Sequence, residues 1–439
     1  MGKVFVHSLG CQMNEVDSGK IRAQLALDGW VPTDDPEQAD LVLVNTCSVR
    51  EKAVDKMHST LGEYRRMKRS RPGMRVGVVG CVAQERGAEL LKKYRDVDLV
   101  FGPDGVPKVR ELVRASERQR VLDTDFLDLE AYPFVQENDP LPSGIGAFVT
   151  IQKGCDNKCT FCIVPSTRGA EASRPHAQIV DEVRAMVDAG AKEITLIGQN
   201  VNSYGLKTPG EITFAELLYE VAAVPGVQRI RYTTSHPRDM GPDVLRAHGE
   251  IEALCPQLHL PVQSGSNAVL RRMKRYYTRE HYLKVVDELR RARPGIVLTT
   301  DVIVGFPGET DEDFEQTMSL LDEVGFVGSF SFKYSPRPGT PALKLQERGE
   351  VPPEVASARL IRYQDRQREL STEWHRSLEG AEVDVLVEGP SRHDEGVICG
   401  RTPGFAMVNF PGDVSQVGST VRVRVTRGFT HSCRAEPVV

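Results

Sequence analysis

The chain has 439 residues, 40% of them hydrophobic and 27% charged, a globular composition long enough for about three domains that each bury a core. Lys and Arg number 56 against 61 Asp and Glu, a net charge of −5, so any surface for nucleic acid has to be local. No apolar run approaches the roughly 18 residues of a membrane span, and the start, MGKVFVHSLG, lacks the pattern of an export signal, so a cytoplasmic protein without membrane contact is expected.

In chain order, residues 3–9 (KVFVHSL), 41–45 (LVLVN), 75–80 (RVGVVG) and 97–101 (VDLVF) read as short, Val-rich buried strands. Helical stretches at 15–28, 51–70, 84–94 and 106–116 separate them, the pattern of a parallel α/β sheet with right-handed crossovers. Residues 119–143, acidic and carrying Pro133, Pro140 and Pro142, read as a connector. Alternation resumes from about 146 to 335, with strands at 147–152, 193–198, 229–233, 259–260, 298–304 and 327–334 and helices between them. Six βα steps predict a partial TIM-type (β/α)6 barrel. After a helical, charge-rich stretch at 354–378 come short alternating segments at 381–388, 396–401, 406–410 and 420–427, the outline of a small antiparallel, OB-like β-barrel. The fold class is therefore α/β with a small β module. The expected division is 1–118, a linker at 119–140, 141–372 and 373–439.

Nine cysteines, an odd number in a long chain without an export signal, favour metal or redox chemistry over a disulfide framework. Cys155, Cys159 and Cys162 form a CxxxCxxC run after the first strand of the second α/β unit, where barrels build their sites. Three thiolates there can hold three irons of a 4Fe–4S cluster and leave the fourth iron open. The competing reading is zinc, which needs a fourth ligand such as His176. Cys11, Cys47 and Cys81 each fall just after a strand of the first unit, at the edge where open parallel sheets bind ligands. A second three-thiol cluster site and three ordinary buried cysteines both remain open on that observation. Cys255, Cys399 and Cys433 show no ligand spacing and read as core or incidental.

The CxxxCxxC loop, KGCDNKCTFCIVPSTRG, resembles that of the radical S-adenosylmethionine (SAM) enzymes. The N-terminal triplet in SLGCQMN, NTCSVR and GCVAQ resembles that of the methylthiotransferases among them. Further segments run the length of the chain, including IGQNVNSYG, TTSHPRDM, LHLPVQSGSN, VIVGFPGET and YSPRPGTPA, and the C-terminal segment is similar to the TRAM RNA-binding module. GCQMN and GQNVNSYG resemble the branch acting on N6-dimethylallyladenosine next to a tRNA anticodon. Relatives act on threonylcarbamoyl-adenosine or on a ribosomal protein. From a different class, a non-catalytic cluster- or zinc-bearing RNA-binding protein is the alternative. The resemblance implies two 4Fe–4S clusters, held by Cys11, Cys47 and Cys81 and by Cys155, Cys159 and Cys162. It also implies that SAM is both the source of a 5′-deoxyadenosyl radical and a methyl donor. Gln199, Gln263 and the 305–309 loop with Gly305 and Glu309 are the implied SAM contacts, although a strand-to-helix turn alone also accounts for Gly305, Pro307 and Gly308. Ser166 stands where the family pattern has an aromatic residue.

Partners implied are a tRNA anticodon stem-loop, an electron donor and proteins supplying sulfur or clusters, with a monomer expected. Residues 50–75 hold nine Lys or Arg against three acids, net +6. Arg271, Arg272, Lys274 and Arg275 precede Tyr276 and Tyr277, cations beside aromatics that suit unstacked bases. Residues 401–439 carry five Arg against two acids. Of Phe405, Phe410 and Phe429, at least two are expected in the core of the small barrel.

Overall fold

A computed structural model describes residues 2–49, 51–128, 132–134, 144–347, 349–392 and 394–438; Arg50, Pro140 and Pro142, used in the sequence reading, lie outside the described residues. The N-terminal unit runs β1 (Lys3–Leu9), α1 (Gln12–Leu27), β2 (Val31–Pro32), β3 (Leu41–Thr46), α2 (Glu51–Ser70), β4 (Arg75–Val79), α3 (Cys81–Lys93), β5 (Leu99–Phe101), α4 (Val109–Ala115) and β6 (Val121–Asp123). All six strands are parallel in the order β2-β1-β3-β4-β5-β6. Alternation on β3 sends Val42 and Val44 to a core with Val54, Met57 and Leu61 of α2 and Val82 and Leu90 of α3. Leu41 and Leu43 go to a second core with Ile21 and Leu25 of α1 and Val109 and Val113 of α4. With both faces covered, β3 is buried throughout, which is why it reads as a continuous apolar run. The two- and three-residue strands β2 and β6 are too short to leave a period; β6 lies inside the expected connector.

The second unit comprises β7 (Gly146–Thr150), β8 (Gln152–Lys153), α5 (Val164–Arg168), β9 (Ala172–Ser173), α6 (His176–Asp188), β10 (Glu193–Ile197), α7 (Phe214–Ala222), β11 (Arg229–Tyr232), α8 (Pro242–Glu250), β12 (Gln257–His259), α9 (Asn267–Arg272), α10 (Arg279–Ala292), β13 (Val297–Val304), α11 (Asp311–Val324) and β14 (Gly328–Lys333), followed by α12 (Ala342–Gln346) and α13 (Pro353–Ser377). Parallel arcs β7-β10-β11 and β12-β13-β14 supply the six barrel strands. A parallel bridge from Ile230 to Leu254 joins the arcs at their lower seam. Ile194, Leu196, Ile230, Tyr232, Leu258, Leu298 and Val302 pack outward against the helices, so the alternate residues of each strand face the lumen. Helix α13 lies along β14 and runs unbroken through the expected boundary at 372–373.

Buried in this helical shell, His248 bonds Tyr232 Oη through Nε2 at 2.6 Å. Burial, with a smaller push from Arg293, lowers its pKa from 6.5 to about 4. Below pH 6.5 the unfolded chain takes up a proton that the folded chain refuses until about pH 4. The contribution of His248 to stability is therefore complete above pH 6.5 and falls by about 3 kcal/mol as the pH drops through that window. Urea unfolding at stepped pH should show a decline that His248→Gln makes shallower, the remainder coming from His236, whose pKa burial also lowers.

The C-terminal unit closes β15 (Glu382–Pro390), β16 (Val397–Arg401), β17 (Met407–Pro411), β18 (Thr420–Gly428) and β19 (Cys433–Pro437) into a five-stranded barrel, one strand more than the sequence reading found. Phe410 fills its core with Val385, Val387, Val423 and Cys433. Phe405 and Phe429 are exposed, correcting the expectation that at least two of the three would be core. Phe405 is instead sandwiched between Arg231 and Arg401, each 4.9 Å from its ring centre. Arg231 also donates to the carbonyls of Thr402 and Pro403, and Arg229 to that of Arg401 at 2.6 Å, so the β16–β17 turn docks under the large barrel.

Candidate iron–sulfur and SAM site

In the N-terminal sheet the strand order changes direction between β1 and β3, the topological switch point where such sheets bind ligands outside their carboxyl ends. Cys11 follows β1 as the N-cap of α1, Cys47 follows β3, and Cys81 opens α3 after β4. These three strands are neighbours, so the sheet itself delivers the thiols to one edge. The crowding is tight: a Cβ on Gly10 would lie 2.4 Å from Cys47 Cβ.

A buried amide pair sits beneath them. Asn14 donates to Asn45 Oδ1 at 2.8 Å, Asn45 donates to Asn14 O at 2.8 Å and Ser18 Oγ at 3.0 Å, and Cys11 Sγ donates to Asn14 Oδ1 at 3.1 Å. One helical turn separates Cys11 from Asn14, a spacing visible in GCQMN that sequence reasoning did not use. A hydrogen bond with Cys47 lowers the Cys11 thiol to about 6, with Arg168 favouring the same charge; the partner thiol of Cys47 moves up for the same reason. Burial raises Cys81, against the pull of the nearby Arg168 charge. The hydroxyls of Thr46 and Ser48, on either side of Cys47, are buried with no partner among the described residues, a cost that a sulfur-rich ligand would relieve.

At the carboxyl end of the large barrel, Gly154 adopts φ +72° and its α-carbon passes so close to Ala170 that an added Cβ would sit 1.9 Å from the carbonyl oxygen. Only glycine opens this loop. Cys155 N donates to Gly169 O, Thr160 N to Met273 O, and Thr160 Oγ1 to Arg272 O, which pins the loop at both ends of the run. Burial raises Cys155 and pushes Cys162 up to about 12. Arg275, buried between the positive-φ residues Lys274 and Tyr276, donates to Cys159 Sγ at 3.4 Å and to Pro261 O. Arg275 and Tyr277 thus belong to the thiol loop and not to a surface patch, whereas Tyr276 is exposed.

The remaining sequence candidates lie on the same barrel face. Gln199 follows β10; its Oε1 accepts from Gly154 N at 2.5 Å and its buried Nε2 has no partner among the described residues. Gln263 follows β12 at φ +72°, a conformation rare outside glycine. Gly305, at φ +69°, opens the loop after β13. Glu309 is turned away into the protein, accepting from Gly305 N at 2.9 Å and pairing with Arg359 at 2.7 Å. His176 pairs with Glu211 at 2.6 Å. Among the described residues no three His, Cys, Asp or Glu side chains converge as around one ion. A cluster with ligands at separate corners calls for wider sets, and three sulfurs, a glycine cradle and an unpartnered amide suit one. Ser166 is exposed and bonds Ile163 O, so the missing aromatic leaves no buried gap.

Two buried ion pairs tie the sites together. Arg168, six residues beyond Cys162, meets Asp17 of α1 at 2.7 Å. Lys153, two residues before Cys155, meets both oxygens of Asp104 at 2.6 Å. On the surface, the cations of residues 50–75 are only partly available, because Arg65, Lys68, Arg71 and Arg75 pair with Asp96, Asp98, Asp40 and Glu117.

Residues 3–102 match the uncharacterized protein family UPF0004, residues 149–321 the radical SAM superfamily and residues 376–438 the TRAM domain. Among curated relatives, the tRNA-2-methylthio-N(6)-dimethylallyladenosine synthases of Geobacter metallireducens and Myxococcus xanthus are 47% and 48% identical, over 99% and 100% of this chain and 98% and 94% of theirs. Among solved structures, the radical SAM methyltransferase TsrM of Kitasatospora setae, with cobalamin and a [4Fe-4S] cluster bound, aligns with a TM-score of 0.58 at 15% identity, over 79% of this chain and 78% of that one. The cobalamin-dependent SAM radical enzyme OxsB aligns at 0.53 and 12%, over 84% and 62%. Both share the fold. With full-length identity to the curated relatives and the three matched domains in this order, the chain belongs to the tRNA-2-methylthio-N(6)-dimethylallyladenosine synthase family of radical SAM enzymes.

Proposed function

We propose that the protein converts N6-dimethylallyladenosine beside a tRNA anticodon, at position 37, into its 2-methylthio derivative. Cys155, Cys159 and Cys162 would hold one 4Fe–4S cluster and Cys11, Cys47 and Cys81 a second. When bound, the first cluster and SAM supply the radical chemistry that opens an adenine C–H, and the second holds the sulfur that a further SAM methylates. The observation that carries this reading is Arg168, which follows the first thiol run, pairs with Asp17 of α1 at 2.7 Å and favours the charged forms of Cys11 and Cys81, so one side chain links the two three-thiol sites.

The protein's own residues then have distinct tasks. Gly154 and Thr160 shape the thiol loop, and Arg275 offers positive charge to Cys159. The Nε2 of Gln199 is a donor for an acceptor atom of SAM, with Gln263 and the Gly305 turn alongside; Glu309, committed to Arg359, would shape that turn instead of touching SAM. The Asn14–Asn45 pair orients Cys11. For RNA, Lys52, Lys56, Arg66 and Arg69 on α2, without carboxylate partners among the described residues, offer phosphate contacts. Phe429, beside Arg427 at 5.1 Å, and Tyr276 offer stacking. The division at 1–118, 119–140, 141–372 and 373–439 is proposed on these roles, the three matched stretches falling inside the three units. A cytoplasmic monomer served by an electron donor and by sulfur- or cluster-supplying proteins completes the proposal. No helix among the described residues is long and apolar enough to cross a membrane.

Mass spectrometry of tRNA nucleosides tests it. Expression in cells lacking the activity should convert N6-dimethylallyladenosine to its methylthio form; unchanged nucleosides in cells containing cluster-loaded protein would contradict it.

A further inference from the structure

We propose that Phe330 and Phe332, on the inner face of the last barrel strand, are the surface that reads the apolar N6 substituent of the target adenine and so set the preference for prenylated over bare adenosine. The inference rests on the function proposed above. Its starting point is the two faces of β14. Ser331 accepts from Gln364 and Lys333 donates to Ser357, both on α13, so that face of the strand is covered. Phe330 and Phe332 point the other way, into the barrel, where they are 57% and 43% exposed. Elsewhere in this unit Phe214, Tyr282, Phe306, Phe314, Phe326 and Tyr363 are buried. Two adjacent exposed aromatics in such a setting mark a surface that meets a ligand.

Their surroundings sharpen the chemistry. His259 lies edge-on to Phe330, with ring centres 6.1 Å apart. Its Nε2 is 3.3 Å from Asp301 and its Nδ1 3.0 Å from Thr299. Lower in the lumen are Arg231 and Gln257. The lumen around β14 is thus polar, suited to the edges of a nucleobase, and the two rings are its apolar part.

Position along the barrel supplies the orientation. Tyr334, two residues beyond Phe332, packs on Phe306 at 5.3 Å, and Phe306 packs on Phe161, between Cys159 and Cys162, at 6.5 Å. Arg337 donates to Val49 O at 3.1 Å, two residues beyond Cys47. The exit of β14 therefore lies against both thiol loops. In adenine, carbon 2 and the carbon bearing N6 flank N1 in the six-membered ring, and their outward bonds diverge. With carbon 2 turned toward the thiol sets, the N6 chain leaves obliquely to them, along the face of β14. Its five apolar carbons then lie on Phe330 and Phe332.

The test compares kcat/KM on two anticodon stem-loop RNAs that differ only in carrying N6-dimethylallyladenosine or adenosine at the target position. Wild type, Phe330→Ala, Phe332→Ala and Phe330→Gln are assayed after iron content and thermal unfolding have been matched. The expected result is a loss of about tenfold or more in the ratio of the two values, the scale of discrimination carried by small apolar groups. The rate of SAM cleavage without RNA should stay at the wild-type level. Should Phe332→Ala fail to fold, the exposed Phe330 variants decide. An unchanged ratio in iron-loaded Phe330→Ala and Phe330→Gln overturns the inference. Wild-type protein that methylthiolates neither RNA overturns the function it rests on, and the inference with it.

Discussion

Cys159→Ala should bring 5′-deoxyadenosine formation from SAM to background, a fall of about a thousandfold or more, the scale seen when one member of a catalytic unit is lost. Cys47→Ala should leave that cleavage at least partly intact and yield no methylthio product. The asymmetry follows from where each thiol stands. Cys159 sits at the carboxyl end of the large barrel, in a loop pinned at Gly169 and Met273 and charge-compensated by Arg275. Cys47 sits in the other unit, at the sheet switch point, flanked by the orphaned hydroxyls of Thr46 and Ser48. Removing one thiol removes a ligand from one set and none from the other. Chromatography of nucleosides after a reduced, anaerobic incubation reads both outcomes. Methylthio product from Cys47→Ala at the wild-type level would end the assignment of the N-terminal set.

The second large effect is on stability. Lys153 and Asp104 are paired with side-chain exposures of 5% and 1%, against 7% and 13% for Arg168 and Asp17. Burial lowers the Lys153 pKa, partly offset by Asp104, so the charge is tolerated for the sake of its partner. Lys153→Met would leave Asp104 buried with, among the described residues, only the Leu127 N–H to bond it. Breaking a buried pair in this way costs about 3–5 kcal/mol. The first calorimetric transition should therefore fall markedly, and Asp104→Leu combined with Lys153→Met should regain most of the loss, because the pair replaced by apolar groups carries no stranded charge. Equal stability of wild type and Lys153→Met would show that the junction does not carry load between the units. The functional stake is geometric: β8 leads directly into Gly154 and Cys155, so this pair fixes one thiol set relative to the other.

The sequence-legible part of the molecule has a physical explanation. Strands β1, β3 and β4 are Val-rich because both sheet faces are covered, and each is followed closely by a cysteine, so the placement of three thiols at one sheet edge was legible from position, while their reading as a ligand set rested on the resemblance. Strands β2 and β6 are missing from the sequence reading, since two or three residues leave no period, and so is β19. Helices α1 and α3 begin three residues earlier than their apolar pattern, and that shift places Cys11 and Cys81 at helix starts. Long-range ion pairing was invisible: Arg65 and Lys68 look like a basic surface until Asp96 and Asp98, about 30 residues on, arrive beside them. Arg275 and Tyr277 looked like an RNA patch until the turn at Lys274 and Tyr276 folded them inward. The FSFK run of β14 read correctly as strand, but which face meets solvent depended on α13, more than 20 residues later.

In the proposed function, sulfur insertion and methyl transfer occur on one chain with SAM serving twice. The direct measurement is product stoichiometry in a reduced, anaerobic turnover of cluster-loaded protein with an N6-dimethylallyladenosine stem-loop RNA. Each methylthio nucleoside should be accompanied by one 5′-deoxyadenosine and one S-adenosylhomocysteine, within the slack of uncoupled SAM cleavage. Methylthio nucleoside formed without S-adenosylhomocysteine, or without 5′-deoxyadenosine, would contradict the proposed function.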